Sequence, residues 1–197
     1  RGCGVTNDGA RKAGYAAPGV AGQAAAMVAA LEMAGIASNE VTYVECHATG
    51  TLVGDGIELR ALTEAYAATA TAKLVGHCAI GSIKGNIGHA NAAAGITGLI
   101  KTALCLSRRT LVPTAHFNAL NAKVDLAGGP FFVGCAKGQP EAWAAPAHGG
   151  SRLAGLSSFG IGGSNVHMVL EEPPPLPNAP NADEPHAIAP CVRATHV

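Results

Sequence analysis

Apolar residues recur at helical spacing in three segments of the chain. The first segment follows Pro18, and its apolar positions every three or four residues predict a helix with one buried face that ends at Gly35. Residues 57–68 predict a second helix. A third helix is predicted from a helical stripe of apolar residues: Ile96, Leu99, Ile100, Ala103 and Leu104.

Short runs rich in β-branched or alternating apolar residues predict strands between and after these helices. The predicted strands are residues 41–45, 79–82, 131–133, 152–157 and 164–171. Residues 2–5 are interpreted as the end of an element, followed by a turn at residues 6–9. Strands that alternate with helices indicate a layered α/β fold.

The composition changes sharply near residue 172. Pro is frequent from residue 173 onward, which favours an extended linker or tail over a packed core. We therefore predict a domain at 1–172 and a Pro-rich linker or tail at 173–197. The chain begins abruptly at Arg1, so we expect it to be a piece of a larger protein.

Charge and cysteine usage exclude several classes. Lys plus Arg and Asp plus Glu both number 13, and this zero net charge argues against a nucleic-acid-coating protein. No uninterrupted apolar run is long enough for a membrane span. The 6 cysteines are widely and irregularly spaced, without a C-x-x-C pair, which favours a reducing, cytoplasmic setting over a disulfide framework or a zinc motif.

Three Gly-rich loops follow predicted strands, where α/β proteins tend to bind ligands. The first loop, residues 45–58, brings a histidine, two threonines and two carboxylates together: His47, Thr49, Thr51, Asp55 and Glu58. For the two carboxylates a helix-capping role competes with a functional one, because Asp55 and Glu58 have the spacing of a capping box.

The second and third loops are also rich in small residues. The second, residues 81–90, contains Lys84 and His89 before an apolar helix. The third, residues 157–165, places glycines around Phe159. Glycine lets the backbone approach a ligand or expose its N–H groups, although a tight hairpin would need such glycines too.

Four motifs together resemble one family. They are His-x-Thr-Gly-Thr at 47–51, Gly-Asp-x-Ile-Glu at 54–58, Ile-Lys-x-Asn-Ile-Gly-His at 83–89 and Ser-Ser-Phe-Gly-x-Gly-Gly-Ser-Asn-x-His at 157–167. Asn-Asp-Gly at 7–9 fits as well. The chain resembles the C-terminal half of a β-ketoacyl synthase (ketosynthase) domain from a modular type I polyketide synthase.

The resemblance implies the C-terminal half of a thiolase-like αβαβα fold. It also implies decarboxylative Claisen condensation of an acyl thioester with a malonyl-type extender, in polyketide or fatty acid biosynthesis. The implied partners are the N-terminal half of the same domain, acyl carrier protein and a second copy in a homodimer. No cofactor or metal is expected on this chain, because acyl carrier protein delivers the phosphopantetheine arm.

The resemblance also implies a role for each matching residue. His47 and His89 match the two active-site histidines, and Lys84 matches the family's lysine, expected to pair with Glu58 in a supporting role. Further matches are Thr49 and Thr51 for the pantetheine channel, Phe159 for the gate and an oxyanion-hole N–H, and Asn165 for support of that loop.

The nucleophilic cysteine of the family belongs to the missing N-terminal half. Cys46 is adjacent to His47, but consecutive residues at a strand end point to opposite faces, so the two are not expected to share a site. Cys78 is an equally weak candidate. The chain departs from the family pattern at Ala48, Gly56, Gly85 and Ser164, and Gly85 is expected to loosen the Lys84 loop.

Two other interpretations stay open. One is a non-elongating or inactive ketosynthase-like module that binds acyl carrier protein, which the Gly85 change favours. The other is a metal-dependent hydrolase that would use His47, His89, Asp55 and Glu58, although no known metal-binding spacing supports it.

Overall fold

The computed structural model describes residues 1–73, 75–146 and 149–174, so the predicted tail lies outside the described residues beyond residue 174. Within these ranges, six strands form the main sheet and two form a small one. The strands are β1 (Gly2–Asn7), β2 (Tyr43–Glu45), β3 (Cys78–Gly81), β4 (Thr110–Leu111), β5 (Phe131–Val133), β6 (Glu141–Ala142), β7 (Leu153–Phe159) and β8 (Ser164–Glu171). The helices are α1 (Val20–Ala34), α2 (Gly54–Thr69), the one-turn α3 (Lys84–Ile87) and α4 (Ala94–Arg108).

The order of the main sheet is β1-β8-β7-β2-β3-β5. Strands β7, β2, β3 and β5 run parallel, whereas β8 runs antiparallel to both β7 and β1. The carboxyl ends of β2, β3 and β7 therefore meet at one edge of the sheet, and the three Gly-rich loops leave from that edge. This arrangement confirms the predicted α/β fold.

The alternation of side chains along β2 separates two cores. Val44 and the following Cys46 pack with α1 and α2 on one face, whereas Tyr43 packs with Cys105 and Leu106 of α4 on the other. Two layers of helices thus cover opposite faces of one sheet. Because Cys46 and His47 diverge at the end of β2, the expectation that they do not share a site agrees with this packing.

Strand β1 is not indicated by the sequence pattern, in which residues 2–5 are interpreted only as the end of an element. It lies directly against α1. A Cβ atom at Gly2 would lie 2.2 Å from the carbonyl oxygen of Ala30, and one at Gly4 would lie 2.0 Å from that of Ala26. Only glycine permits this approach of strand and helix. Because glycine has a low strand propensity, the sequence pattern does not indicate this strand.

The buried side of α4 is not the side that carries the apolar stripe of the sequence. Lys101 and Thr102 are buried, whereas three apolar residues of the predicted stripe are half exposed: Ile96 at 51%, Ile100 at 54% and Leu104 at 50%. They are spaced four residues apart and therefore lie along one side of the helix. Among the residues that the structure describes, α4 thus presents an apolar face that is about half exposed.

None of the helices in the described part of the chain combines the length and the apolar composition needed to traverse a lipid bilayer.

Candidate active site

The two histidines of the first and second loops lie side by side at the sheet edge. His47 follows β2, and His89 follows α3 in the loop after β3. Their ring centroids are 5.4 Å apart with the rings nearly perpendicular. The structure therefore brings together two residues that are 42 positions apart in the sequence, as the parallel order of β2 and β3 requires.

Backbone hydrogen bonds fix the orientation of both imidazoles. The N–H of Phe159 donates to Nδ1 of His47 at 3.4 Å, and the N–H of Asn91 donates to Nδ1 of His89 at 3.0 Å. A ring nitrogen that accepts a hydrogen bond carries no proton, so the proton of each neutral imidazole is on Nε2. Both rings thus offer an N–H donor on the side away from these backbone contacts.

The pKa of His47 strengthens this assignment. The pKa of His47 is lowered to about 4, first by burial and then by the charge of Lys84 and the neighbouring His89. His47 is consequently neutral at physiological pH. A neutral imidazole donates a hydrogen bond from Nε2 without adding a full positive charge to the site.

Glu58 holds the backbone of the first loop. Its two carboxylate oxygens accept the N–H groups of His47 and Ala48, each at 2.7 Å. Burial raises the pKa of Glu58 to about 7, against the lowering effects of those two hydrogen bonds and of Lys84. The capping alternative for Glu58 is therefore not what the structure shows, because Glu58 bonds the residues after β2 and not the start of α2.

Asp55 also turns back to this loop, where its Oδ1 accepts the N–H of Gly50 at 3.1 Å. The first turn of α2 is capped by Thr51, whose Oγ1 accepts the N–H of Gly54 at 3.1 Å.

Lys84 interacts with Glu58 through space, not as a direct pair. Among the ion pairs formed by the described residues, none joins Lys84 to Glu58, so the expected direct pairing is wrong. Burial lowers the pKa of Lys84, and the negative charges of Glu58 and Glu45 oppose that shift. Lys84 and Glu58 both line a cavity of about 750 Å³ whose lining includes neither histidine.

A cleft of about 410 Å³ lies in front of the imidazoles. Its lining includes both histidines, Phe159 and the exposed residues Thr49 and Thr51. The hydroxyl oxygens of the two threonines are 3.4 Å apart. The cleft thus combines imidazole donors, hydroxyls and an aromatic ring, which are groups that can contact a thin polar ligand.

Phe159 and Asn165 belong to the third loop, where they face each other across the β7–β8 pairing. The ring of Phe159 lies 5.4 Å from that of His47, and its N–H is bonded to His47. The expected role of this N–H as an oxyanion donor is thus not what the geometry shows, since the amide orients the imidazole. Asn165 is buried and donates to Gly163 at 3.1 Å and to Asp8 at 2.7 Å, which ties the loop to the end of β1.

Neither of the two cysteines considered from the sequence, Cys46 and Cys78, is suited to act as a nucleophile. Cys46 and Cys78 are buried in the core shared with α1 and α2. Burial raises the pKa of both thiols, and the charge of Glu58 raises that of Cys46 further. Because the thiolate is the reactive form, these cysteines are inert packing residues.

The structure accounts for one departure from the family pattern, Gly85, but not for another, Ala48. A Cβ atom at Gly85 would lie 2.3 Å from the carbonyl oxygen of Ala115, so the loop requires glycine there. The expectation that Gly85 loosens the Lys84 loop is therefore wrong, because its missing side chain permits a tight backbone contact. Ala48 has a φ of +24°, a conformation that favours glycine.

The described residues contain no group of three or more His, Cys, Asp and Glu side chains that could hold a metal ion. The metal-dependent hydrolase thus lacks a ligand set in this part of the chain.

A buried polar cluster next to the second loop is not indicated by the sequence motifs. It consists of Tyr43, Glu45 and Lys101, which lie on β2 and α4. The available signal was Lys101, a charged residue in the middle of a mostly apolar helical segment.

Several known proteins are similar to this chain in sequence. Residues 1–118 match the family described as "Beta-ketoacyl synthase, C-terminal domain". A phenolphthiocerol/phthiocerol polyketide synthase of Mycobacterium tuberculosis is 47% identical over 174 residues, which are 88% of this chain and 11% of that protein. Polyketide synthase ThaG of Burkholderia thailandensis is 44% identical over 184 residues, which are 93% of this chain and 3% of that protein.

Solved structures extend the match to the fold. The ketosynthase from module 6 of the bacillaene synthase of Bacillus subtilis superposes with a TM-score of 0.81 at 39% identity, over 88% of this chain and 30% of that one. Ketosynthase twelve from the bacillaene synthase of Bacillus amyloliquefaciens gives a TM-score of 0.82 at 38% identity, over 90% of this chain and 30% of that one.

These matches define the chain as part of a thiolase-like α/β fold. The chain belongs to the β-ketoacyl synthase family and corresponds to the C-terminal part of a polyketide synthase ketosynthase domain. It spans about a tenth or less of the length of these curated relatives.

Proposed function

We propose that this chain supplies the enolate-stabilising half of a β-ketoacyl synthase active site. In the proposed reaction a malonyl-type thioester loses CO2, and the electron pair of the broken C–C bond passes to the enolate. The α-carbon then attacks an acyl group held as a thioester on a cysteine. The new C–C bond forms as the C–S bond breaks, and the released thiolate takes up a proton.

The pair of Nε2–H donors carries this proposal. Decarboxylation places negative charge on the thioester oxygen, and His47 and His89 can both donate to an oxygen placed between them. Their backbone partners on Nδ1 hold the rings before the reaction begins. Preorganised donors of this kind are usually the largest single contribution to catalysis, and removing one costs about 10²–10³ in rate.

The other site residues have supporting roles in this proposal. Glu58 fixes the backbone that carries His47, and Lys84 adds positive charge near the developing enolate. Thr49 and Thr51 line the approach of the phosphopantetheine arm, which acyl carrier protein delivers. Phe159 closes the cleft beside His47, and Asn165 holds the loop that carries Phe159.

The nucleophile is proposed to come from an N-terminal half that packs on α4. The half-exposed stripe of Ile96, Ile100 and Leu104 supports this partner, because three aligned large apolar residues are unusual on a face that stays in water. His89 is exposed in this chain, whereas an enolate needs a site that excludes water. An N-terminal half packed on this side would cover the apolar stripe of α4 and would exclude water from His89.

The proposal is tested in a complete ketosynthase domain in which this chain forms the C-terminal part. His89→Ala is expected to leave transfer of the acyl group to the cysteine intact and to abolish condensation with malonyl-acyl carrier protein. Mass spectrometry of the protein measures the first step, and release of labelled CO2 with product formation measures the second. Unchanged condensation in His89→Ala would reject the assigned role.

A non-elongating module that binds acyl carrier protein is the alternative. Its structural support is weakened, since Gly85 makes a required backbone contact with Ala115. The residue at the position of the nucleophile in the upstream sequence decides between the two. Cysteine favours condensation, whereas glutamine favours a decarboxylating loading module.

A further inference from the structure

We propose that Glu45 is a positioning residue that sets the distance between the two catalytic imidazoles. This inference rests on the proposed function, because it concerns how the enolate-stabilising pair is held. Glu45 precedes His47 by two residues and ends β2. Its carboxylate also reaches the neighbouring loop, which carries Lys84 and His89.

The contacts of Glu45 are short and buried. Its Oε1 accepts the backbone N–H of Ile83 at 2.7 Å. Its Oε2 accepts hydrogen bonds from Nζ of Lys101 at 2.7 Å and from the hydroxyl of Tyr43 at 2.6 Å. Lys101 also donates a hydrogen bond to the hydroxyl oxygen of Tyr43 at 2.9 Å. Glu45 and Lys101 are both buried, so the pair is shielded from solvent.

The bond to Ile83 reaches the catalytic groups through a short, stiff path. Ile83 is adjacent to Lys84, where the single turn of α3 begins. The N–H of Gly88 closes that turn on the carbonyl of Lys84 at 2.9 Å, and His89 is the next residue. One carboxylate therefore ties the strand that carries His47 to the turn that precedes His89.

Lys101 and Tyr43 hold this carboxylate in its orientation. A carboxylate with a single backbone partner could rotate, and a buried charge without a counter-charge is costly. The ammonium of Lys101 compensates the charge, and the two side chains together fix Oε2, which leaves Oε1 aimed at Ile83. Burial of Lys101 on α4, which its sequence pattern does not suggest, is explained by this role.

The test replaces the cluster stepwise in the complete ketosynthase domain. Glu45→Gln cannot serve both sides: if its carbonyl faces Ile83, its NH2 group faces the ammonium of Lys101. In the double variant Glu45→Gln with Lys101→Met, the carbonyl can accept from Ile83 and the NH2 group can donate to the hydroxyl of Tyr43. The double variant thus restores the tether without either charge.

We expect Glu45→Gln to lower condensation by about 10²-fold, the effect of displacing catalytic groups by about an ångström, while acyl transfer to the cysteine changes little. The double variant should recover most of the lost condensation. A purely structural role predicts instead that both steps fall together with the amount of folded protein, or that neither changes. Either of those results overturns the proposal.

Glu172→Gln is the matched control. Glu172 accepts hydrogen bonds from Arg109 and Arg152 at the opposite end of β8 from the site. This variant should lower the melting temperature without changing the ratio of condensation to acyl transfer. A changed ratio in the control would show that the ratio reports stability, and would overturn the inference.

Two further variants keep the test decisive. If Glu45→Gln does not fold, Tyr43→Phe removes one partner of the carboxylate but keeps the ion pair, and it should lower condensation selectively; an unchanged ratio there overturns the proposal. His89→Ala is measured in parallel. If His89→Ala leaves condensation intact, the proposed function fails and this inference fails with it. If His89→Ala abolishes condensation as expected, the Glu45 variants test only the role of Glu45 in holding the two loops.

Discussion

Glu58 is expected to make the stability of the domain depend on pH in a direction that is unusual for a carboxyl group. Burial raises its pKa from an ordinary 4.5 to about 7. The folded state therefore binds the Glu58 proton more tightly than the unfolded state does. This contribution to stability is fully present below pH 4.5 and is lost as the pH rises through about 7.

The size of the effect follows from the shift. A rise of this extent corresponds to about 3 kcal/mol in the free energy of unfolding. Glu58→Gln removes the titrating group but keeps a side chain of similar shape. Relative to the wild type, the variant should therefore gain about 2–3 kcal/mol as the pH rises from about 5 to about 8, with most of the gain complete near neutrality.

Urea unfolding of the complete ketosynthase domain at several pH values across this range measures the difference. His47 and other groups titrate in both proteins, so subtraction isolates Glu58. Glu172→Gln provides the comparison. Burial alone would raise the pKa of Glu172, but hydrogen bonds from Arg152 and Arg109 and the charge of Arg152 together lower it. That contribution is present above pH 4.5 and should be nearly constant over this range.

A Glu58→Gln difference that stays constant with pH, or that moves in favour of the wild type as the pH rises, would refute the reasoning. It would mean that the two backbone N–H groups and Lys84 outweigh the burial of the carboxylate.

Two other predictions concern packing. Gly85→Thr, which restores the residue usual in the family, should lower the free energy of unfolding by about 1–3 kcal/mol, because its Cβ would lie 2.3 Å from a backbone oxygen of Ala115. The control is Gly56→Ala in α2, whose new Cβ would have its nearest neighbour at 4.0 Å and which should raise the free energy of unfolding. Urea unfolding measures both variants. An unchanged free energy of unfolding in Gly85→Thr would contradict the prediction. The chain by itself should self-associate through the apolar face of α4, and Ile100→Lys should weaken that association in sedimentation velocity. A monomeric wild-type chain with a sharp cooperative melt would count against an uncovered α4 face.

Much of the local structure could be predicted from the sequence. The pattern predicts the helix that ends at Gly35, the strand at Phe131–Val133 and the strand at Ser164–Glu171, because periodic burial and terminal glycines are local signals. Strand β1 escapes such a pattern, since its two glycines serve a contact with α1 that is remote in sequence. The apolar stripe of α4 also gave no indication of which side faces the sheet.

The site shows the same division. The residue types that gather at the strand ends can be read directly from the amino-acid order, and the four motifs indicate the family to which they belong. Which atoms meet depends on the three-dimensional packing. There Glu58 bonds the backbone of His47 and not its own helix, Phe159 orients an imidazole, and Lys101 reaches Glu45. The physical reason is that parallel strands bring remote loops to one edge, where burial and hydrogen-bond geometry, which no local pattern records, assign each polar group its partner.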